Sequence, residues 1–133
     1  YNLFYDLGII GDVGTNEVYR MIRELEMLQH KQQPLKYQLL AIYTEVAKAT
    51  DTDTKTIEQR VRRTIAKALV NVASLGLEDF YNEKFQEYNN VLFDFKEVRQ
   101  EMNFMQKKSA YRGKINIRKF IEGILFITER HEQ

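Results

Sequence analysis

The 133-residue chain holds 20 Lys/Arg against 19 Asp/Glu, a formal net charge of +1, with 44% hydrophobic and 29% charged residues. That balance excludes a disordered tail or a fibrous repeat, and charges interrupt every apolar run well short of the ~18 residues a membrane-spanning helix needs. With no cysteine there is no disulfide framework, thiolate metal site or cysteine nucleophile, which fits a reducing, cytoplasmic setting.

A chain of this length makes one domain, 1–133, burying roughly two thirds of its unfolded surface. It begins at Tyr1 rather than Met, so a part excised from a longer protein is expected. The near-neutral total hides an alternation. Residues 1–53 carry 5 Lys/Arg against 8 Asp/Glu (−3), 54–73 carry 5 against 1 (+4), 74–106 carry 3 against 7 (−4), and 107–133 carry 7 against 3 (+4). Focused positive blocks attract polyanions even on a nearly neutral molecule.

Gly8, Gly11 and Gly14 mark a turn-rich start, after which Thr15 is placed to cap a helix with Val18, Ile22, Leu25 and Leu28 on one face. Pro34 ends that helix. A second apolar series, Leu35, Leu39, Ile42, Tyr43, Val46 and Ala47, runs to a polar turn at 50–54. The third series, Ile57, Val61, Ile65, Ala68, Leu69 and Val72, keeps a narrow stripe inward and ends at Gly76, read as a C-cap. From Leu77 to Met105 large apolar residues recur by threes and fours, with Asn89-Asn90 as the break between two helices. Residues 107–114 read as a basic loop. Asn116 then caps a last helix burying Ile117, Phe120, Ile121, Ile124, Leu125 and Thr128. The fold class is all-α, a helical bundle containing a helix-turn-helix.

Little here suggests catalysis. The Gly8–Gly14 stretch lacks the Lys-Ser/Thr pair of a phosphate loop and the spacing of a dinucleotide fingerprint. His30 and His131 lie near helix ends without other metal ligands at suitable spacing, and no carboxylate sits among apolar neighbours in a way that argues a raised pKa and general acid work. Neither an enzyme nor a cofactor is expected.

The third helix is different. Its outward side carries Lys55, Thr56, Gln59, Arg63 and Ala66, flanked by Arg60, Arg62 and Lys67, with only Glu58 against five cations. Long hydrogen-bonding side chains on the ridge, a small residue for close approach and cations at the edges suit a recognition helix. Asp53 or Thr54 would cap it, directing first-turn N–H groups and the positive dipole end at an anion. The expected partner is double-stranded DNA, with the helix from Thr54 to about Leu75 in the major groove. Lys107, Lys108, Arg112 and Lys114 are assigned to phosphate or minor-groove contact. The rival reading is a protein-interaction module that dimerises through the aromatic segment 77–105.

The run from Ile42 to Ala68, IYTEVAKATDTDTKTIEQRVRRTIAKA, resembles without a gap the helix-turn-helix of the effector domain of the stage-zero sporulation transcription factor. Leu7–Gly14 and Lys114–Ile121 are similar to the starts of that domain's first and last helices. Between about Phe80 and Ala110 this chain is longer, and there it looks more like the related YcbB-type effector domain of response regulators, one described member of which regulates glutamine utilisation. The resemblance implies an all-helical DNA-binding domain linked to a receiver domain, and it admits a homodimer on DNA and RNA polymerase as further partners. By the same similarity the positions of Thr56, Glu58 and Gln59 face bases and that of Arg62 reaches the backbone. Glu58 and Arg62 keep the family type. Thr56 and Gln59 replace arginines, which implies a different operator, Gln59 being suited to adenine N6 and N7.

Overall fold

An isolated helix of a dozen residues is marginal in water, so these segments become helices by sharing apolar faces. The computed structural model describes residues 2–131, and among them are seven helices and no strand. They are α1 (Asn2–Asp6), α2 (Thr15–Lys31), α3 (Leu39–Thr50), α4 (Thr54–Glu78), α5 (Glu83–Val91), α6 (Phe95–Met105) and α7 (Ile117–His131). The spine is α4, which packs against α2, α3, α5, α6 and α7. Its inward stripe of Ile57, Val61, Ile65, Ala68, Leu69 and Val72 is buried throughout, as its period requires. Phe85, Phe93 and Phe120 are the largest fully buried side chains, and the rings of Phe93 and Phe120 lie 5.7 Å apart.

Several boundaries differ from expectation. The helix α1 was not anticipated. Gly14, not Thr15, is the N-cap of α2; the Thr15 hydroxyl instead donates to the Ile9 carbonyl, turning the 7–14 loop back onto the bundle. The second series becomes helical only at Leu39: residues 32–38 lie outside any helix, and Gln38, the N-cap, is extended (φ −112°, ψ 138°). Gly76 is no C-cap. It lies inside α4, buried, where a Cβ would stand 2.3 Å from the Phe85 ring, so glycine is there to let α5 approach.

The break in the aromatic segment falls at 92–94 rather than at Asn89-Asn90, since Asn89 is buried within α5. Phe85, Tyr88, Leu92 and Val98 enter the core, while Phe80 and Tyr81 stay exposed at the α4–α5 corner. Asn116 caps α7 as expected, its Oδ1 accepting from Lys119 N at 3.0 Å. Of that helix's inward series only Thr128 is left half-buried.

Candidate nucleic-acid interface

Three residues, Asp51 to Asp53, join α3 to α4. Asp51 adopts the left-handed conformation (φ 53°, ψ 50°), and Thr52 N donates back to Ala47 O at 3.0 Å, closing α3. Asp53 is extended, and its Oδ1 accepts from Thr56 N at 2.7 Å, satisfying one of the orphan donors of α4. This hydrogen bond to the charged form holds the Asp53 carboxyl below the usual carboxylate range.

Beyond the cap, Lys55, Gln59, Arg62, Arg63, Ala66 and Lys67 are exposed, and Thr56 is half-buried. Glu58 keeps part of its side chain open, 42% exposed, and lies 4.0 Å from Arg62; the hydroxyl of the buried Tyr43 is pushed up to about 12 mainly by burial and then by the Glu58 charge. The outer ridge is not open along the whole helix. Val70 and Leu77 on the same side are half-buried and Ala73 is buried, because α5, α6 and the chain at 112–113 lie across the last turns. The length available to a partner is therefore Thr54 to Lys67, shorter than the segment to Leu75 that the sequence suggested.

The second basic block is no loose loop. Lys108 N donates to Asn103 O at 2.8 Å, and Gln100 Nε2 bonds Ser109 Oγ at 2.8 Å and Tyr111 O at 2.7 Å. Two carboxylates one turn apart on α6 then take the backbone: Gly113 N donates to Glu101 Oε1 at 3.1 Å and Lys114 N to Glu97 Oε1 at 2.8 Å. Gly113 is required by proximity, a Cβ there lying 2.2 Å from Glu97 O. Arg112 pairs with Glu101 at 2.7 Å and lies 4.7 Å over the Phe104 ring, and the pairing raises its pKa. Lys107, Lys108, Arg112 and Lys114 all remain exposed. A groove of ≈ 320 Å³ lined by Ala66, Lys67, Leu69, Val70, Glu101, Arg112 and Gly113 joins this block to the end of the open ridge. The two basic stretches thus border one surface.

Arg60 is engaged from the other direction. Its Nη1 lies 3.3 Å from Glu17 Oε1 of α2, and Glu17 is buried. Glu17 and Glu101 are both buried on otherwise apolar helix faces, each against an arginine, an arrangement the sequence reading did not single out. A signal was available: Glu17 precedes Met21 and Leu25 at helical spacing, and Glu101 shares its face with Val98 and Met105. The Gly8–Gly14 stretch forms no phosphate loop; it packs on α4, with Gly14 N donating to Thr64 Oγ1 at 2.9 Å and Asn71 Nδ2 to Leu7 O at 2.8 Å. Among the described residues no helix is long and apolar enough to cross a membrane.

The family described as the YcbB domain matches residues 1–124. The transcriptional regulatory protein GlnL of Bacillus subtilis (strain 168) is 36% identical over 136 residues, an alignment covering 90% of this chain and 43% of that protein. The chain thus spans less than half the length of that relative. No solved structure matches. With a family match running through every helix from α1 to α6 and into α7, this chain belongs to the YcbB domain family.

Proposed function

We propose that this chain is the DNA-binding output domain of a transcriptional regulator, joined in the full-length protein to a phosphoaccepting receiver domain. The observation that carries the reading is the open ridge of α4, a cation-rich helix face directly after a capped three-residue turn. Kinship with a transcriptional regulatory protein supports it. In the proposed complex the first turns of α4 enter the major groove. Lys55, Thr56, Glu58, Gln59 and Arg63 meet base edges, while Arg60, Arg62 and Lys67 meet phosphates. Gln59 pairs with an adenine, and Arg63 with a guanine. Lys107, Lys108, Arg112 and Lys114 reach the sugar-phosphate backbone next to the groove, where each contact releases counterions without reading sequence.

Selection of bound duplexes from a random pool tests the proposal. The expected result is an enriched motif bound far more tightly than bulk duplex, with affinity falling steeply as salt rises. Failure of duplexes of any sequence to bind at low salt overturns it, and a native-mass measurement showing only protein dimers, with and without duplex, would favour the protein-interaction reading.

A further inference from the structure

Among the described residues, Glu17 and Glu101 are the buried charged side chains, 5% and 1% exposed. Burying a carboxylate costs more than a pairing with one cation usually returns, and apolar replacements of similar volume often stabilise, so stability alone is a weak reason for either. Glu17 even leaves its buried Oε2 without a hydrogen-bond partner. The two share a second property. Each comes from a helix packed against α4, and each holds an arginine at a border of the open ridge: Glu17 of α2 holds Arg60, and Glu101 of α6 holds Arg112.

We propose that Glu17 and Glu101 are positioning residues that hold Arg60 and Arg112 as two pre-set phosphate-binding arms at the edges of the α4 face. This inference rests on the DNA-binding reading above. Both arginine side chains keep open surface, 41% exposed for Arg60 and 57% for Arg112. In each pair a single guanidinium nitrogen bonds the carboxylate, and a guanidinium carries five donors, so several remain for a phosphate. The chain behind each arm is fixed as well. Gly14 packs against the Arg60 carbonyl, and Arg112 is followed by Gly113, whose amide the same Glu101 binds. An arm ordered before the encounter need not lose its freedom on binding, which is where a flexible arginine sacrifices affinity.

The test measures affinity of the 133-residue chain for a duplex recovered from the random pool, across a salt series, in two double-mutant cycles. Arg60→Ala and Arg112→Ala each lower the log–log salt slope by about 0.9, one phosphate's worth. Glu17→Gln and Glu101→Gln leave the slope intact but weaken binding roughly three- to ten-fold, as expected for one long side chain that must now be ordered. In the Arg60→Ala or Arg112→Ala background the matching glutamine substitution has no further effect on affinity. A glutamate acting only on the fold would weaken binding equally in both backgrounds, and that result overturns the proposal for its pair. Unchanged slopes in the alanine variants, or tighter binding by the glutamine variants, overturn it too. Should a glutamine variant fail to fold, Arg60→Lys or Arg112→Lys serves in its place: the slope is kept and affinity falls by a similar factor, whereas wild-type affinity refutes the arm. If wild-type protein binds no duplex, the DNA-binding reading falls and takes this inference with it; if it binds while the cycles fail, only the arms are wrong.

Discussion

Gly14→Ala inserts one methyl group where the 7–14 loop meets α4. The added Cβ would stand 2.2 Å from the Arg60 carbonyl oxygen, 2.7 Å from its carbon and 2.5 Å from Thr64 Oγ1. Gly14 itself has φ −99°, which alanine tolerates, so the penalty is one of space rather than of backbone conformation. Two of the three obstacles are backbone, and no rotamer change relieves them. Relief requires the loop to lift away from α4, stretching the buried 2.9 Å bond from Gly14 N to Thr64 Oγ1. Overpacking at the severe end costs about 3 kcal/mol and loss of the hydrogen bond about 1 kcal/mol more. A total near 4 kcal/mol lowers Tm by about 15 °C for a domain of this size. Calorimetry on Gly14→Ala beside Thr64→Ala checks it: in the Thr64→Ala background most of the glycine effect should persist, because the Arg60 carbonyl remains. A Gly14→Ala melting point within about 2 °C of wild type would refute the steric argument.

Gln59→Ala and Arg63→Ala should each weaken the selected site by about 1–3 kcal/mol and relax base preference at one position, read by repeating the pool selection with each variant. Lys108→Ala should weaken all duplexes alike and lower the log–log salt slope by about 1; an unchanged slope would remove the second basic block from the interface. Asp53→Ala should lower Tm at neutral pH. Because the folded pKa of Asp53 lies below its unfolded value, the wild-type advantage is present above the unfolded pKa and vanishes as pH falls through the folded one, which parallel melts across the acidic range would show. The opposite sign holds at Tyr43. Its folded pKa, about 12, exceeds the ordinary value of 10.0, so its stabilisation is complete below pH 10 and is lost as pH rises toward 12; the fall in Tm across that range should be smaller in Tyr43→Phe than in wild type.

What the sequence revealed and what it concealed divide along one physical line. Apolar residues repeating at helical spacing announced α2, α4 and α7, because a stripe of Ile57, Val61 and Ile65 has no other way to be buried at once. Two N-caps were visible as well, Asp53 and Asn116 needing only neighbours within three residues, whereas Thr15 proved to lie one residue inside its helix. Partners distant in the chain were not visible. Gly76 resembles a helix stop until Phe85 is known to fold onto it, and Asn89 resembles a break until its burial in α5 is known. Five residues of α1 are too few to display a period. At the candidate site the ridge from Lys55 to Lys67 was legible as charge and spacing. Its abrupt end under α6 was not, and neither were the reach of Glu17 to Arg60 and Glu101 to Arg112.

The covered second half of α4 has a further effect on what one domain can distinguish. From Lys55 to Lys67 a helix advances about 18 Å, which corresponds to about five base pairs of duplex. On the DNA-binding reading, a word that short recurs by chance roughly every thousand base pairs, far too often to single out one promoter in a genome. Addressing a unique locus then calls for repeated words read by several molecules side by side, so that the distance between repeats becomes part of the address.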